Sequence, residues 1–219
     1  MGKERFGHDN LTIDQICEDI KEVHDLGYEI CLVVGGGNIC RGANVAESGI
    51  ERATADYMGM LATVINAIAL QSKLESKSLH TRVISAIPII TIVEQYIRRK
   101  AIRHLEKGRI VIFASGTGNP FFTTDTGAVL RAIEMNCSLV LKGTQVDGAY
   151  SEDPKKNNKA IKYKELTHED VIRKNISVMD TTAITLAHDN NMPMKIFNVA
   201  KKGEFARVLQ NKGCYTNIR

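Results

Sequence analysis

The chain has little that would mark a secreted, metal-caged or membrane-bound protein. Its five cysteines, at positions 17, 31, 40, 137 and 214, form no Cys-x-x-Cys pair and no zinc spacing. Four of them sit inside apolar patterns, so reduced, buried thiols are expected. The histidines are scattered and none pairs at a metal-ligand spacing, so the metal ligands stay unknown. The first residues are polar and do not read as a secretory signal. Met1-Gly2 would suit myristoylation, but Phe6 stands where Ser or Thr is needed. No apolar run is expected to approach the length that spans a bilayer. The net charge of +4 is mild; it suits anionic substrates and does not argue for nucleic acid. Arg98-Arg99-Lys100 with Arg103 falls at helical spacing and reads first as a solvated helix face. Repeats, low-complexity segments and linkers are missing too. What remains is an ordinary globular composition in 219 residues, enough for one domain with a proper core and two lobes at most.

Strands and helices alternate. Thr12 with Gln15 reads as a capping box, opening a helical run that ends at Gly27. Tyr28 to Val34 reads as a buried strand, Ala53 to Leu74 as a helix, and Arg82 to Ala86 as a short strand stopped by Pro88. A helix is expected over Val93 to Lys107, a strand over 109–114, a helix over 124–135 and a strand over Ser138 to Lys142. Gly143 to Lys164 is polar and reads as an excursion over a ligand or as surface loop. Helices near 168–174 and 180–191, a strand at 194–198 and a short helix from Gly203 to Gln210 complete the chain. This alternation argues for an α/β fold with a largely parallel sheet sandwiched by helices, its binding loops at the carboxyl ends of strands.

The richest segment is Gly116-Thr-Gly-Asn-Pro-Phe-Phe-Thr-Thr-Asp125, between the 109–114 strand and the helix that follows. Its glycines let the backbone approach a ligand. Threonine hydroxyls and backbone N–H groups at a helix start can hold an anion, commonly phosphate. The two phenylalanines offer flat faces for a base or a packing anchor. A strand–helix connection with capping threonines would account for Thr123 or Thr124 alone. A second glycine cluster, Gly35-Gly36-Gly37-Asn38-Ile39-Cys40-Arg41-Gly42, follows another apolar run. It fails the dinucleotide fingerprint, because Cys40 replaces the third small residue and no second strand ends in an acid. It fails the P-loop as well, because Ala43 and Asn44 follow Gly42. It is a phosphate cradle of another kind, or a tight turn.

Taken with Asp56-x-Met-Gly-Met-Leu-Ala-Thr63, Lys142-Gly-Thr-Gln-Val-Asp-Gly-Ala-Tyr150-Ser-Glu-Asp153-Pro154 and Val178-Met179-Asp180, these segments make the chain resemble the bacterial UMP kinases (uridylate kinases) of the amino acid kinase family. The resemblance runs from about Phe6 to the C-terminus. The 116–125 loop is specific to these enzymes and disfavours an amino-acid-phosphorylating relative. One departure stands out. The family opens with a strand ending in Lys-x-Ser-Gly-Glu, whose lysine and glycine loop hold the triphosphate. Met1 to Gly7 reads as the part that follows it, and Lys3 has no strand before it and no Ser-Gly after it. The expectation is therefore an amino acid kinase domain over 1–219 that lacks the first strand and is N-terminally incomplete. Its acceptor-nucleotide part would cover roughly 1–137 and its donor part roughly 138–219.

The resemblance implies transfer of the ATP γ-phosphate to UMP in the cytoplasm, with Mg²⁺, in pyrimidine nucleotide synthesis. A non-catalytic pyrimidine-nucleotide sensor is the alternative, because the donor lysine loop is absent. UMP would lie against Gly36, Asp56, Thr117, Gly118, Asn119, Pro120, Phe121, Phe122, Thr123 and Thr124. Asp56 would accept from ribose hydroxyls, or else cap the helix that follows. ATP would lie against Gly37, Arg41, Thr144, Tyr150 and Asp153. Arg41 would neutralise phosphate charge, or else be a surface arginine. Asp125 and Asp180 would organise the centre with Arg41, or else serve as caps. The family also implies a GTP activator, carried onto Arg82 and Arg109, a UTP inhibitor, and a homo-hexamer of dimers. Met58, Met60, Leu61, Ile65 and Ala69 would serve its contact, unless they pack inside the monomer.

Overall fold

The computed structural model describes residues 9–40 and 49–219. The expectations on Met1 to Gly7, and on Arg41, Gly42, Ala43 and Asn44, lie outside the described residues. The chain divides into two compact units, at 1–128 and 129–219.

The first unit begins with α1 (Asn10–Asp25). Its N-cap is Asp9, whose carboxylate accepts from the backbone of Leu11 and Thr12. The expected box on Thr12 is thereby corrected: the Thr12 hydroxyl donates back to Asp9 at 2.7 Å from inside the helix. The unit continues with β1 (Cys31–Val33), α2 (Arg52–Ser76), β2 (Thr81–Ser85), β3 (Glu94–Gln95), α3 (Arg98–Glu106) and β4 (Ile110–Ala114). The four strands form one parallel sheet in the order β1-β4-β2-β3. The central β4 is buried at all five residues, as an apolar run with neighbours on both sides must be. The strand expected from Tyr28 is shorter and only half-buried. The helix expected from Val93 starts five residues later, because Glu94 and Gln95 pair with Ile84 and Ser85.

Helix α2 corrects a further expectation. Its 25 residues are long and apolar enough to cross a membrane by length and composition. The apolar residues are used inside the unit instead: Ala55, Met60, Ala62, Val64, Ala67, Leu70 and Leu74 are buried.

The second unit receives the later turns of α4 (Thr124–Glu134), which crosses the division at 128. It then runs β5 (Val140–Thr144), β6 (Glu165–Leu166), α5 (His168–Arg173), α6 (Thr181–Asp189), β7 (Met194–Asn198), α7 (Glu204–Leu209) and β8 (Tyr215–Ile218). Its sheet has the order β5-β7-β8-β6, with β5 and β7 parallel and β7 and β8 antiparallel. Val129, Val140, Ile184, Met194, Ile196 and Ile218 form its core. All five cysteines are free thiols; only Cys17 is fully buried, and burial pushes it up to about 11.

Candidate active site

In the first unit, β1 and β4 are adjacent parallel strands, so the segments leaving their carboxyl ends emerge side by side. One is the Gly35–Gly37 turn and the other the 115–123 loop. The turn lies hard against α2. A Cβ added to Gly36 would stand 2.6 Å from the Gly59 carbonyl oxygen and 2.8 Å from the Ala62 Cβ. No side chain fits there, which is why glycine is required. The Gly36 carbonyl accepts from the backbone of Ile39 and Cys40, tightening the turn.

The second loop is built from unusual backbone. Ser115, Gly116, Gly118 and Phe121 all have positive φ, between 55° and 85°. Gly118 donates its N–H to the Ser115 carbonyl, and the Thr117 hydroxyl accepts from Asn119 N–H at 3.2 Å. Thr123 is the cap of α4: its hydroxyl accepts from Asp125 N–H at 3.1 Å and Thr126 N–H at 3.3 Å. Asp125 then sits in the first helical turn, where a negative charge faces the positive end of the helix. Phe121 and Phe122 are exposed.

Asp56 joins the loop to α2. The helix starts at Arg52, so Asp56 lies inside it and does not cap it. One carboxylate oxygen accepts the Phe121 N–H at 2.9 Å, and both lie 3.0 Å from the Arg52 Nε. Gly36, Asp56 and the 117–124 loop thus share one structural frame. Arg82 and Arg109 also meet in this unit, through Glu94. Arg82 pairs with Glu75 at 3.3 Å and approaches Glu94 at 3.9 Å. Arg109 donates to His104 Nδ1 at 3.0 Å, which leaves His104 Nε2 to donate to Glu94 at 3.1 Å.

In the second unit, Thr144 ends β5 and its hydroxyl donates to the Val146 carbonyl at 2.7 Å. Tyr150 donates its hydroxyl to Asp147 at 2.5 Å. Asp147 also takes Lys162 at 2.8 Å and the Cys214 thiol at 3.1 Å. Burial alone would raise the Asp147 carboxyl, but these hydrogen bonds outweigh it and hold the group well below the usual range. The same bond pushes the Tyr150 hydroxyl up. Asp153 accepts from Lys155 N–H at 2.9 Å and organises a turn. Asp180 is the cap of α6, accepting from Ala183 N–H at 3.1 Å.

Four residues that hold the candidate segments in place were not singled out in the sequence reading: Thr63, Asn66, Asp147 and Lys162. Thr63 and Asn66 carried a signal, since they are polar residues three apart inside the apolar stretch of a buried helix. Among the described residues no three His, Cys, Asp or Glu side chains come together as a metal site. The described residues do not fit a protein-built Mg²⁺ cage.

A model of the amino acid kinase family matches residues 3–198. The uridylate kinase of Rickettsia typhi is 59% identical over 218 residues, a match covering all of this chain and 89% of that protein. The crystal structure of UMP kinase from Bacillus anthracis has a TM-score of 0.95 and 41% identity, covering 100% of this chain and 90% of that one. UMP kinase from Ureaplasma parvum follows with a TM-score of 0.91 and 38% identity, over 96% of this chain and 89% of that one. The match in sequence and in fold runs through both units, and the chain belongs to the amino acid kinase family.

Proposed function

We propose that the protein is a UMP kinase that moves the γ-phosphoryl group of ATP to UMP, giving UDP and ADP for pyrimidine nucleotide synthesis in the cytoplasm. A phosphate oxygen of UMP attacks the γ-phosphorus, and the bond from that phosphorus to the β,γ-bridging oxygen breaks. Such a reaction asks the protein for positioning and charge neutralisation rather than covalent chemistry. The observation that carries the reading is the bond from Phe121 N–H to Asp56. It ties the glycine-rich loop to the one helix that also seats Gly36. UMP lies against Gly36, Asp56 and 117–124, with the ribose hydroxyls on the remaining lone pairs of Asp56. ATP lies against Gly37, Arg41, Thr144, Tyr150 and Asp153. Arg41, Asp125 and Asp180 serve the centre, the last two by orienting the helix starts they occupy.

UDP formation with UMP, CMP and AMP as acceptors tests this, paired with calorimetric titration of each. UMP should be preferred in both. Equal use of CMP would sink the specificity. UMP binding with no UDP formed would favour the non-catalytic sensor.

The same reading includes a homo-hexamer of dimers. Met58, Leu61 and Ile65 support it, being exposed at helical spacing on α2, whereas Met60 is buried inside the unit. A monomeric mass by light scattering at micromolar protein would overturn it. GTP activation and UTP inhibition belong to it as well, through Arg82 and Arg109. Rates that ignore both nucleotides would remove that assignment.

A further inference from the structure

We propose that Thr63 and Asn66 are positioning residues that set the spacing of the two glycine loops from a single helix. The inference rests on the reading of Gly36 and 117–124 as the UMP cradle. The two residues lie three apart on α2, so they share a face and differ by about 4.5 Å along the axis. Both are buried.

Thr63 holds the 115–123 loop. Its hydroxyl donates to the Met60 carbonyl at 2.7 Å, which commits the proton and leaves the oxygen as an acceptor. That oxygen takes the Ser115 N–H at 2.7 Å. Ser115 has φ of 64°, a strained value for a residue with a side chain, and such geometry persists only where the surroundings over-determine it. Its own hydroxyl is held by Ser85 at 3.0 Å.

Asn66 holds the other loop. Its amide donates to the Gly35 carbonyl at 2.6 Å and to the Asn38 side-chain oxygen at 2.6 Å. Asn38 returns the bond at 3.1 Å. In a trans peptide the C=O and the following N–H point opposite ways. Fixing the Gly35 carbonyl toward α2 therefore aims the Gly36 N–H away from the helix, toward the acceptor side. Gly36 itself abuts the stretch from Gly59 to Thr63. One helical turn thus sets where both loops sit, and Asp56 on the same helix fixes the far end of the second loop.

The test pairs kinetics with amide exchange on the whole protein. Thr63→Val removes the acceptor at similar volume, and Asn66→Asp removes the donor at similar shape. Each should raise KM for UMP at least tenfold. Thr63→Ser should stay within twofold of the parent; Thr63→Ala replaces the valine variant if that one fails to fold. Exchange at Ser115 should quicken at least tenfold in Thr63→Val, and exchange at Ile39 and Cys40 likewise in Asn66→Asp, while Ile112 in β4 keeps its protection. A raised KM with unchanged loop exchange, or quickened exchange with unchanged KM, would overturn the proposal. If the parent neither binds UMP nor forms UDP, the UMP reading fails. The positioning of the loops then stands or falls on the exchange data alone.

Discussion

The two units hold their candidate binding segments by different physics. In the first, glycines press against a helix, the neutral Thr63 hydroxyl and Asn66 amide hold the loops at fixed points, and one carboxylate, Asp56, takes the Phe121 N–H. In the second, a charged set of Tyr150, Asp147, Lys162 and Cys214 ties down the segment after β5. A frame held by close packing tolerates little displacement. A half-exposed charge cluster is screened by water and gives way more gradually. The comparison teaches that the loops of the first unit are specified mainly by shape and the segment after β5 mainly by electrostatics.

Gly36→Ala should show the largest effect. The new methyl group meets the Gly59 carbonyl, which cannot move without bending α2. Stability should fall by about 1–3 kcal/mol in urea unfolding. UDP formation should fall roughly 100-fold, the scale at which an ångström of misplacement acts on a reaction. Gly148→Ala is its counterpart in the second unit, where the methyl group would stand 2.5 Å from the Thr216 hydroxyl and 2.8 Å from the Lys162 Cε. It should cost stability yet leave KM for UMP unchanged. A raised KM for UMP in Gly148→Ala would break the contrast.

Carboxylate swaps come next. Asp56→Asn keeps an oxygen for Phe121 N–H but removes the charge beside Arg52. UMP affinity should fall by about 1.5–3 kcal/mol, the scale of a hydrogen bond to a charged group, with ATP affinity nearly intact. Asp147→Asn should do the reverse in a calorimetric titration: weaker ATP, unchanged UMP. Its stability cost should stay within about 1 kcal/mol, because the Asp147 side chain is 39% exposed. Loss of both ligands in either variant would erase the division of labour.

The smallest effect is on pH. Burial pushes the His168 imidazole below 6.5, more strongly than its contact with the Met192 carbonyl raises it, and nearby His188 adds to the lowering. The unfolded chain then binds the proton more readily than the folded one. Stability is fully present above pH 6.5 and falls as pH drops below it toward the folded value. Urea midpoints between pH 5 and 7.5 should decline on the acid side for the parent and less for His168→Gln. Equal slopes would show that His168 does not titrate differently on folding.

How much was legible depended on whether a segment's own chemistry or its neighbour decided its form. The strand at 194–198 and the helix from Thr124 were readable because a buried apolar run and a capping threonine carry their signals locally. Glu94–Gln95 and Glu165–Leu166 were not, since two residues become a strand only by pairing with β2 and β8. Tyr215–Ile218 was missed for the same reason: a polar tail becomes an antiparallel strand because β7 is beside it. Within the site, glycines and threonines announced the loops. Asp147 and Lys162 lie 15 residues apart in the polar 143–164 segment, and no local pattern pairs them; the fold brings them to 2.8 Å.

By itself the sequence determined the α/β class, the two glycine loops and the motifs of the amino acid kinase family. The class follows from apolar periodicity, the loops from their clustered glycines, and the family from the resemblance of its motifs. Only the tertiary structure decided what holds the loops. Gly35 and Asn66 are 31 residues apart, Thr63 and Ser115 are 52, and Asp56 and Phe121 are 65. A hydrogen bond depends on where two atoms stand in space, and no local pattern carries that over such separations. The packing of α2 against β2 and β4 supplies it.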